Sequence, residues 1–204
     1  MEAPVIRNSG GDAESPWSPR ECELLAATLE LLQEHGYDRL TVDAVATTAR
    51  ASKATIYRRW ATKAELVLAA FVEGTRHVAV DPDTGTLRDD LLRLGEQIWA
   101  HVSTHASTIR AVLVEVSRSA ELDAMMREQF LNQRKALMAH VLARAVDRGE
   151  IEASAITEDL WDVLPGYLIY RSVLTGRAPS SRTVQDLVDN VLIPSLTRHN
   201  IRRS

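Results

Sequence analysis

Apolar residues along this chain recur every three or four positions, the period of a helix with one buried face, and nowhere alternate as a half-buried strand would. Cys22, Leu25, Ala26, Leu29 and Leu32 set the first such stripe. It opens on the capping box Ser18-Pro19-Arg20-Glu21, with Trp17 placed to staple onto Cys22, and ends at Gly36. Thr41 caps a second helix with Val42, Val45, Ala46 and Ala49 inside, Ser52 caps a third to Trp60, and Thr62-Lys63-Ala64-Glu65 opens a fourth through about Arg76. Asp81-Pro82-Asp83-Thr84-Gly85 reads as a loop and a boundary.

Beyond it, Thr86 caps a helix carrying Leu87, Leu91, Leu94, Ile98 and Val102, and Ile109, Val112, Leu113 and Val116 mark a shorter one. Ser119 opens a long helix to about Gly149, Thr157 opens another to Leu174 interrupted at Pro165-Gly166, and Val184, Leu187, Val188, Val191 and Leu192 stripe the last. The pattern predicts an all-α fold of nine helices: a flexible arm over 1–16, a helix-turn-helix domain over 17–78, and a larger helical domain over 79–204.

Charge sharpens this picture. The 204 residues carry a formal net charge of −4, yet between Arg39 and Lys63 six basic residues face one acid, Asp43. A basic patch on an acidic body suits a protein that touches DNA with one end. A hydrophobic content of 45% supports a full core, and a lone Cys22 excludes an intrachain disulfide. No leader-like apolar run follows a basic start, and no stretch reaches ~18 uninterrupted apolar residues, so a cytoplasmic protein outside the membrane is expected.

The basic patch falls on the second and third helices. A major groove about 12 Å wide admits one helix, braced by the helix before it. The third helix turns Lys53, Ala54, Thr55, Arg58 and Arg59 outward from Ile56 and Trp60. Lys53 and Thr55 suit base edges, and Ala54 a thymine methyl. Tyr57, Thr41 and Lys63 suit phosphates, with Lys63 in a first helical turn where a bound anion would explain a cation. Arg58 reaches phosphate or guanine, Ser52 offers a helix N-terminus to a phosphate, and Arg59 is expected to fold over Trp60.

Residues 18 to 74 resemble the N-terminal domain of the TetR/AcrR family of transcriptional regulators. The resemblance rests on Gly36-Tyr37, Leu40-Thr41-Val42, Val45-Ala46, Ala49, Ser52-Lys53-Ala54-Thr55-Ile56-Tyr57, Trp60, Lys63 and Leu66. A looser likeness to a family ligand-binding domain runs through Leu164-Pro165-Gly166-Tyr167 and Leu174-Thr175-Gly176-Arg177. One departure stands out. The family usually has Gly-Val in the turn, and this chain has Arg50-Ala51, so Arg50 must accept strain or a different turn and in return gains a possible phosphate contact.

The resemblance implies a homodimer joined through the last two helices, reading a palindromic double-stranded operator and released by a small-molecule effector. In the middle region Trp99, Met126, Phe130, Trp161 and Tyr167 are the candidate lining of a partly apolar effector pocket, with plain core as the alternative for each. Glu115 is a candidate polar handle, with an arginine partner as its alternative. His101 and His105 stand one turn apart without a third ligand, so no metal and no cofactor is expected. No nucleophile–base pair or phosphate loop appears, which argues against an enzyme. An architectural DNA binder without a ligand, or a helical enzyme with an accidental basic hairpin, remain the other readings.

Overall fold

The computed structural model describes residues 15–76, 78, 80–177 and 179–197. The expected arm falls almost wholly on residues 1–14, outside the described residues. Among the described residues the chain is helical without strands, in eight continuous helices and one short 3₁₀ turn, Ala153–Ala155. They are α1 (Pro19–Arg39), α2 (Val42–Thr48), α3 (Lys53–Arg59), α4 (Lys63–Gly74) and α5 (Leu87–Val116), then α6 (120–147), α7 (158–174) and α8 (181–197). Each of the last three contains one π-helical turn, at Arg127–Leu131, Tyr170–Leu174 and Val188–Leu192.

The count differs from the nine expected at one place. The segments read as 87–102 and 109–116 form one helix, α5, bent at His105 (φ −117°, ψ 23°). The run 103–107, polar but for Ala106, leaves a gap in the apolar stripe there, but the helix continues through it. α7 likewise runs through Pro165 unbroken, and its departure from α geometry comes downstream, at Tyr170–Leu174.

Helix ends follow local chemistry. Ser18 accepts from the Glu21 N–H while Glu21 Oε2 accepts from the Ser18 N–H at 2.8 Å, the reciprocal cap. Thr41, Ser52, Thr62, Thr86 and Ser119 each accept the third N–H of α2 to α6, and Ser180 does so on α8 with the reciprocal bond to the Thr183 hydroxyl as well. Each such cap stabilises its helix by about 1 kcal/mol. Gly36 takes φ 76°, breaking the helical path of α1 before its last turn.

Helices α1 to α4 form a head. α4 is its centre: Leu66 to Val72 are buried without interruption, so the helix has no solvent face over two turns. Gly74 lets α1 approach, because a Cβ there would sit 2.2 Å from Leu29 Cδ2. Trp17 stacks on Trp60 with ring centroids 5.5 Å apart, pinning the start of α1 to the end of α3. The Cys22 thiol also approaches Trp17, donating toward its carbonyl oxygen at 3.7 Å.

Helices α5 to α8 form the body, with a core around Leu91, Leu94, Leu164, Leu168, Val184 and Val188. Gly95 is the contact point of three helices, since a Cβ there would lie 2.4 Å from Val184 Cγ1 and 3.3 Å from Leu164 Cδ1. The head's apolar cluster does not stop at the body. It continues into Val102, Ile109, Val112, Leu122 and Met126.

Asp81 and Thr84, just before α5, are held by the body. Arg144 grips Asp81 with two bonds at 2.5 and 2.6 Å. The fully buried Asp90 accepts from Thr84 N–H and hydroxyl at 2.7 Å and faces Arg148 at 3.4 Å. No helix among the described residues is long and apolar enough to cross a membrane.

Candidate nucleic-acid interface and internal pocket

The turn between α2 and α3 is a Schellman closure. The Ala51 N–H reaches Ala46 O at 2.8 Å and the Arg50 N–H reaches Thr47 O at 3.2 Å. The residue between them must be left-handed, and Arg50 is, with φ 49°. Arginine therefore keeps the turn that glycine would make easily, at about 1–2 kcal/mol of strain. A brace holds it: the Arg20 guanidinium donates to both Ala49 O and Arg50 O, the latter at 2.9 Å. Sequence reasoning missed Arg20, since its partners lie 29 and 30 positions on and no local spacing marks them.

Downstream, the Ser52 hydroxyl receives the Thr55 N–H at 3.1 Å and shares a hydrogen bond with the Thr55 hydroxyl at 2.9 Å. Ile56 and Trp60 are buried, which turns Lys53, Ala54, Tyr57 and Arg58 outward, with Thr55 half-buried beside them. Thr41 accepts the Ala44 N–H at 3.1 Å, leaving its hydroxyl proton free for another acceptor.

The basic residues of the patch are not equivalent. Arg50 and Arg58 are exposed, and neither makes a side-chain hydrogen bond or ion pair among the described residues. Lys53 pairs with Asp43 across the two helices at 2.6 Å, and that hydrogen bond raises the pKa of the lysine. Arg59 bonds Glu21 at 2.8 Å and lies over the ring of Trp17 at 4.6 Å. It folds back as expected, but onto Trp17 rather than Trp60. Glu21 is held below the usual carboxylate range, first by the Ser18 N–H and further by the Ser18 hydroxyl and Arg59.

Lys63 has a different explanation from the one its sequence position suggests. Its Nζ donates to Tyr37 O at 2.9 Å and Leu40 O at 3.2 Å, and lies 4.1 Å from the centre of the Tyr37 ring. The carbonyls ending α1 thus account for a cation in the first turn of α4 without a bound anion. Two of its three donors are engaged, leaving one.

A cavity of about 390 Å³ lies between the end of α4 and helices α5, α6 and α7. Met126, Phe130 and Trp161 line it, together with Phe71, Ile98 and Val112. Trp99 and Tyr167 do not. Ile98, His101 and Val102 share the inward face of α5, and Trp99 turns a step away into the body core. Trp161, Pro165 and Ile169 are the inward row of α7, while Tyr167 is 37% exposed and carries Arg171 over its ring. Pro165 has no N–H for the Trp161 carbonyl, so that oxygen lacks its ordinary helical partner.

Among the polar side chains of the lining are His101 and Arg134. His101 leaves Nε2 buried with no partner, and its pKa is lowered to about 4 by burial, then by His105 and Arg134. Arg134 donates to Thr75 O and lies over the Phe130 ring at 5.0 Å. The His101 and His105 rings lie 4.7 Å apart, and among the described residues no group of three or more His, Cys, Asp or Glu is placed to hold a metal ion. Glu115 is outside the cavity lining. It accepts from the Tyr37 hydroxyl at 3.1 Å and from Arg118 at 3.1 Å.

With this geometry in place, comparison with known proteins is specific. Residues 24–70 match the family described as bacterial regulatory proteins, tetR family, and residues 81–191 match the tetracyclin repressor-like C-terminal domain. The chain is 68% identical to the uncharacterized HTH-type transcriptional regulator Rv1556 of Mycobacterium tuberculosis, over 90% of this chain and 91% of that one. It is 34% identical to the DNA-binding transcriptional repressor TetR of Mycobacteroides abscessus, over 85% and 92% of the two chains. The crystal structure of the TetR family transcription regulator SCO0332 superposes with a TM-score of 0.73 at 29% identity, covering 86% of this chain and 97% of that one.

Proposed function

This chain belongs to the TetR family of DNA-binding transcriptional regulators, and from that we propose that it is a repressor which binds a palindromic operator as a homodimer and leaves it when a small effector enters the cavity. It works in the cytoplasm, with the head over 17–78 reading DNA and the remainder, 79–204, taking the effector and joining the subunits. The observation that carries this reading is the shared apolar cluster: α5 and α6 contribute side chains both to the cavity and to the packing of the head. A ligand that shifts those helices therefore shifts α3.

In this scheme Lys53 and Thr55 read bases, Ala54 meets a thymine methyl, and Thr41, Arg50, Tyr57, Arg58 and the remaining donor of Lys63 take phosphates, with the α3 N-terminus at Ser52 facing another. The dimer is supported by exposed apolar side chains on α7: Tyr167, Tyr170 and Leu174 recur at helical spacing, and Leu174 is 74% exposed. On α8 the same argument rests on Val191 alone, because Val184, Leu187, Val188 and Leu192 are consumed inside the subunit. Two heads then meet half-sites ~34–36 Å apart or a multiple of that.

The test is enrichment of sheared genomic DNA by the purified protein, with sequencing of the bound fragments. A few fragments sharing one palindrome are expected, with binding that weakens steeply as salt rises. Uniform recovery of all sequences would make it an architectural protein. No recovery at low salt, from protein unfolded and refolded to strip any ligand, would remove the DNA reading. A monomer at micromolar concentration in sedimentation would remove the dimer.

A further inference from the structure

The charges facing the cavity do not balance. Asp123 is answered by Arg127 at 2.8 Å, and Lys135 and Asp162 bring one charge of each sign. That leaves Arg134, a half-buried guanidinium with a backbone carbonyl and an aromatic face as partners and no carboxylate among the described residues. Such a charge is costly to hold away from water unless an anion joins it. Beside it the Nε2 of His101 is buried and makes no hydrogen bond, an unusual state for a polar atom in a folded protein. Most of the remaining wall is apolar, and the cavity volume of about 390 Å³ falls in the range of small-molecule sites, ~300–1,000 Å³.

We propose that the effector is an amphipathic carboxylate, with its alkyl or aryl body among Ile98, Val112, Met126 and Phe130 and its carboxylate bound by Arg134 and the Nε2–H of His101. This rests on the reading of the cavity as the effector site and narrows it to one chemical class. Two observations select the class. A guanidinium fork matches two carboxylate oxygens. A neutral imidazole offers one further donor, and the low pKa of His101 keeps it neutral at physiological pH. A cationic effector would meet Arg134 as a like charge, and a neutral one would leave it uncompensated.

The experiment is calorimetric titration of the full chain with matched pairs: decanoate against decan-1-ol, and biphenyl-4-carboxylate against its primary amide. At least one acid is expected to bind about tenfold or more tightly than its neutral partner, as a charge-assisted pair should. In Arg134→Gln that advantage collapses while the neutral partner binds as before, and His101→Phe reduces it in part. Circular dichroism checks the fold. Should Arg134→Gln fail to fold, Arg134→Lys keeps the charge without the fork and is expected to lose part of the advantage. Equal binding of acid and neutral partners overturns the carboxylate assignment and leaves the cavity as a ligand site. An advantage unchanged in the Arg134 and His101 variants places the anion elsewhere and overturns it too. No binding by any probe at ~1 mM, the weak end of specific affinity, overturns both the class and the effector reading of the cavity.

Discussion

The Tyr37 hydroxyl donates to Glu115 at 3.1 Å, joining the last turn of α1 to the end of α5, the principal cavity-lining helix. The Lys63 ammonium lies over the same ring. One phenol therefore touches the body with its edge and the start of α4 with its face.

Tyr37→Phe is expected to lower stability by about 1–2 kcal/mol, the range for a hydrogen bond to a charged acceptor with a second donor, Arg118, remaining. Urea denaturation checks this, and Glu115→Gln should add little on the Tyr37→Phe background. Burial, then the Glu115 charge, pushes the phenol up to about 12. Between about pH 10, its ordinary value, and pH 12 the folded chain holds a proton that the unfolded chain has released. Stability should fall across that window, and Tyr37→Phe should remove that part of the fall.

His101 gives the opposite edge of the pH profile. Its folded pKa of about 4 lies below the ordinary value of 6.5, so between those limits the unfolded chain binds a proton that the fold refuses. The contribution is whole above pH 6.5 and is lost as pH falls toward 4. Discounted for partial exposure, the loss is about 1–2 kcal/mol. Melting curves from pH 7 to 4 should be flatter for His101→Gln.

Arg50→Gly should raise the stability of the head by up to about 1 kcal/mol, because glycine takes the left-handed turn without strain but loses more chain entropy. The same change should weaken DNA binding and reduce the slope of log affinity against log salt by about 1 if Arg50 meets a phosphate. A stabilised variant with unchanged DNA affinity would confine Arg50 to the turn.

Lys53 reaches a base only by leaving Asp43, and Asp43 carries a charge that repels phosphates. Asp43→Asn should leave the melting temperature unchanged, since both side chains are exposed. It should strengthen DNA binding several-fold, and Lys53→Ala should weaken it most at one base-pair position. Competition binding with single-base operator variants separates the two effects.

Most helix starts were legible because their caps rest on residues three apart, as Ser18–Glu21 and Thr86–Asp89 do, whereas the gap at 103–107 suggested a break that the helix does not make. So was the outward set on α3, which comes from burying Ile56 and Trp60. What the sequence hid is long-range. Nothing near Arg20, Arg59 or Lys63 announces the carbonyls of the turn, the Glu21–Trp17 pair, or the end of α1. The cavity was half legible. Met126, Phe130 and Trp161 point inward, but residue type does not reveal helical phase, and a step of about 100° per residue carries Trp99 and Tyr167 past the wall. His101 and Arg134 had no signal as a pair, because they lie 33 positions apart on two different helices.

The three π-turns of the body bear on how chain length can vary. A π-turn takes up one extra residue without rotating the remainder of its helix, so losing one residue inside 127–131 heals α6 into plain α-helix and keeps Arg134 on the cavity side. Losing one between 132 and 143 instead turns every later side chain of the helix by about 100° and breaks the Arg144–Asp81 clamp. Single-residue length differences among relatives should therefore gather at 127–131, 170–174 and 188–192. The first of these is cavity wall, so descent can resize the pocket there while the guanidinium stays where it is.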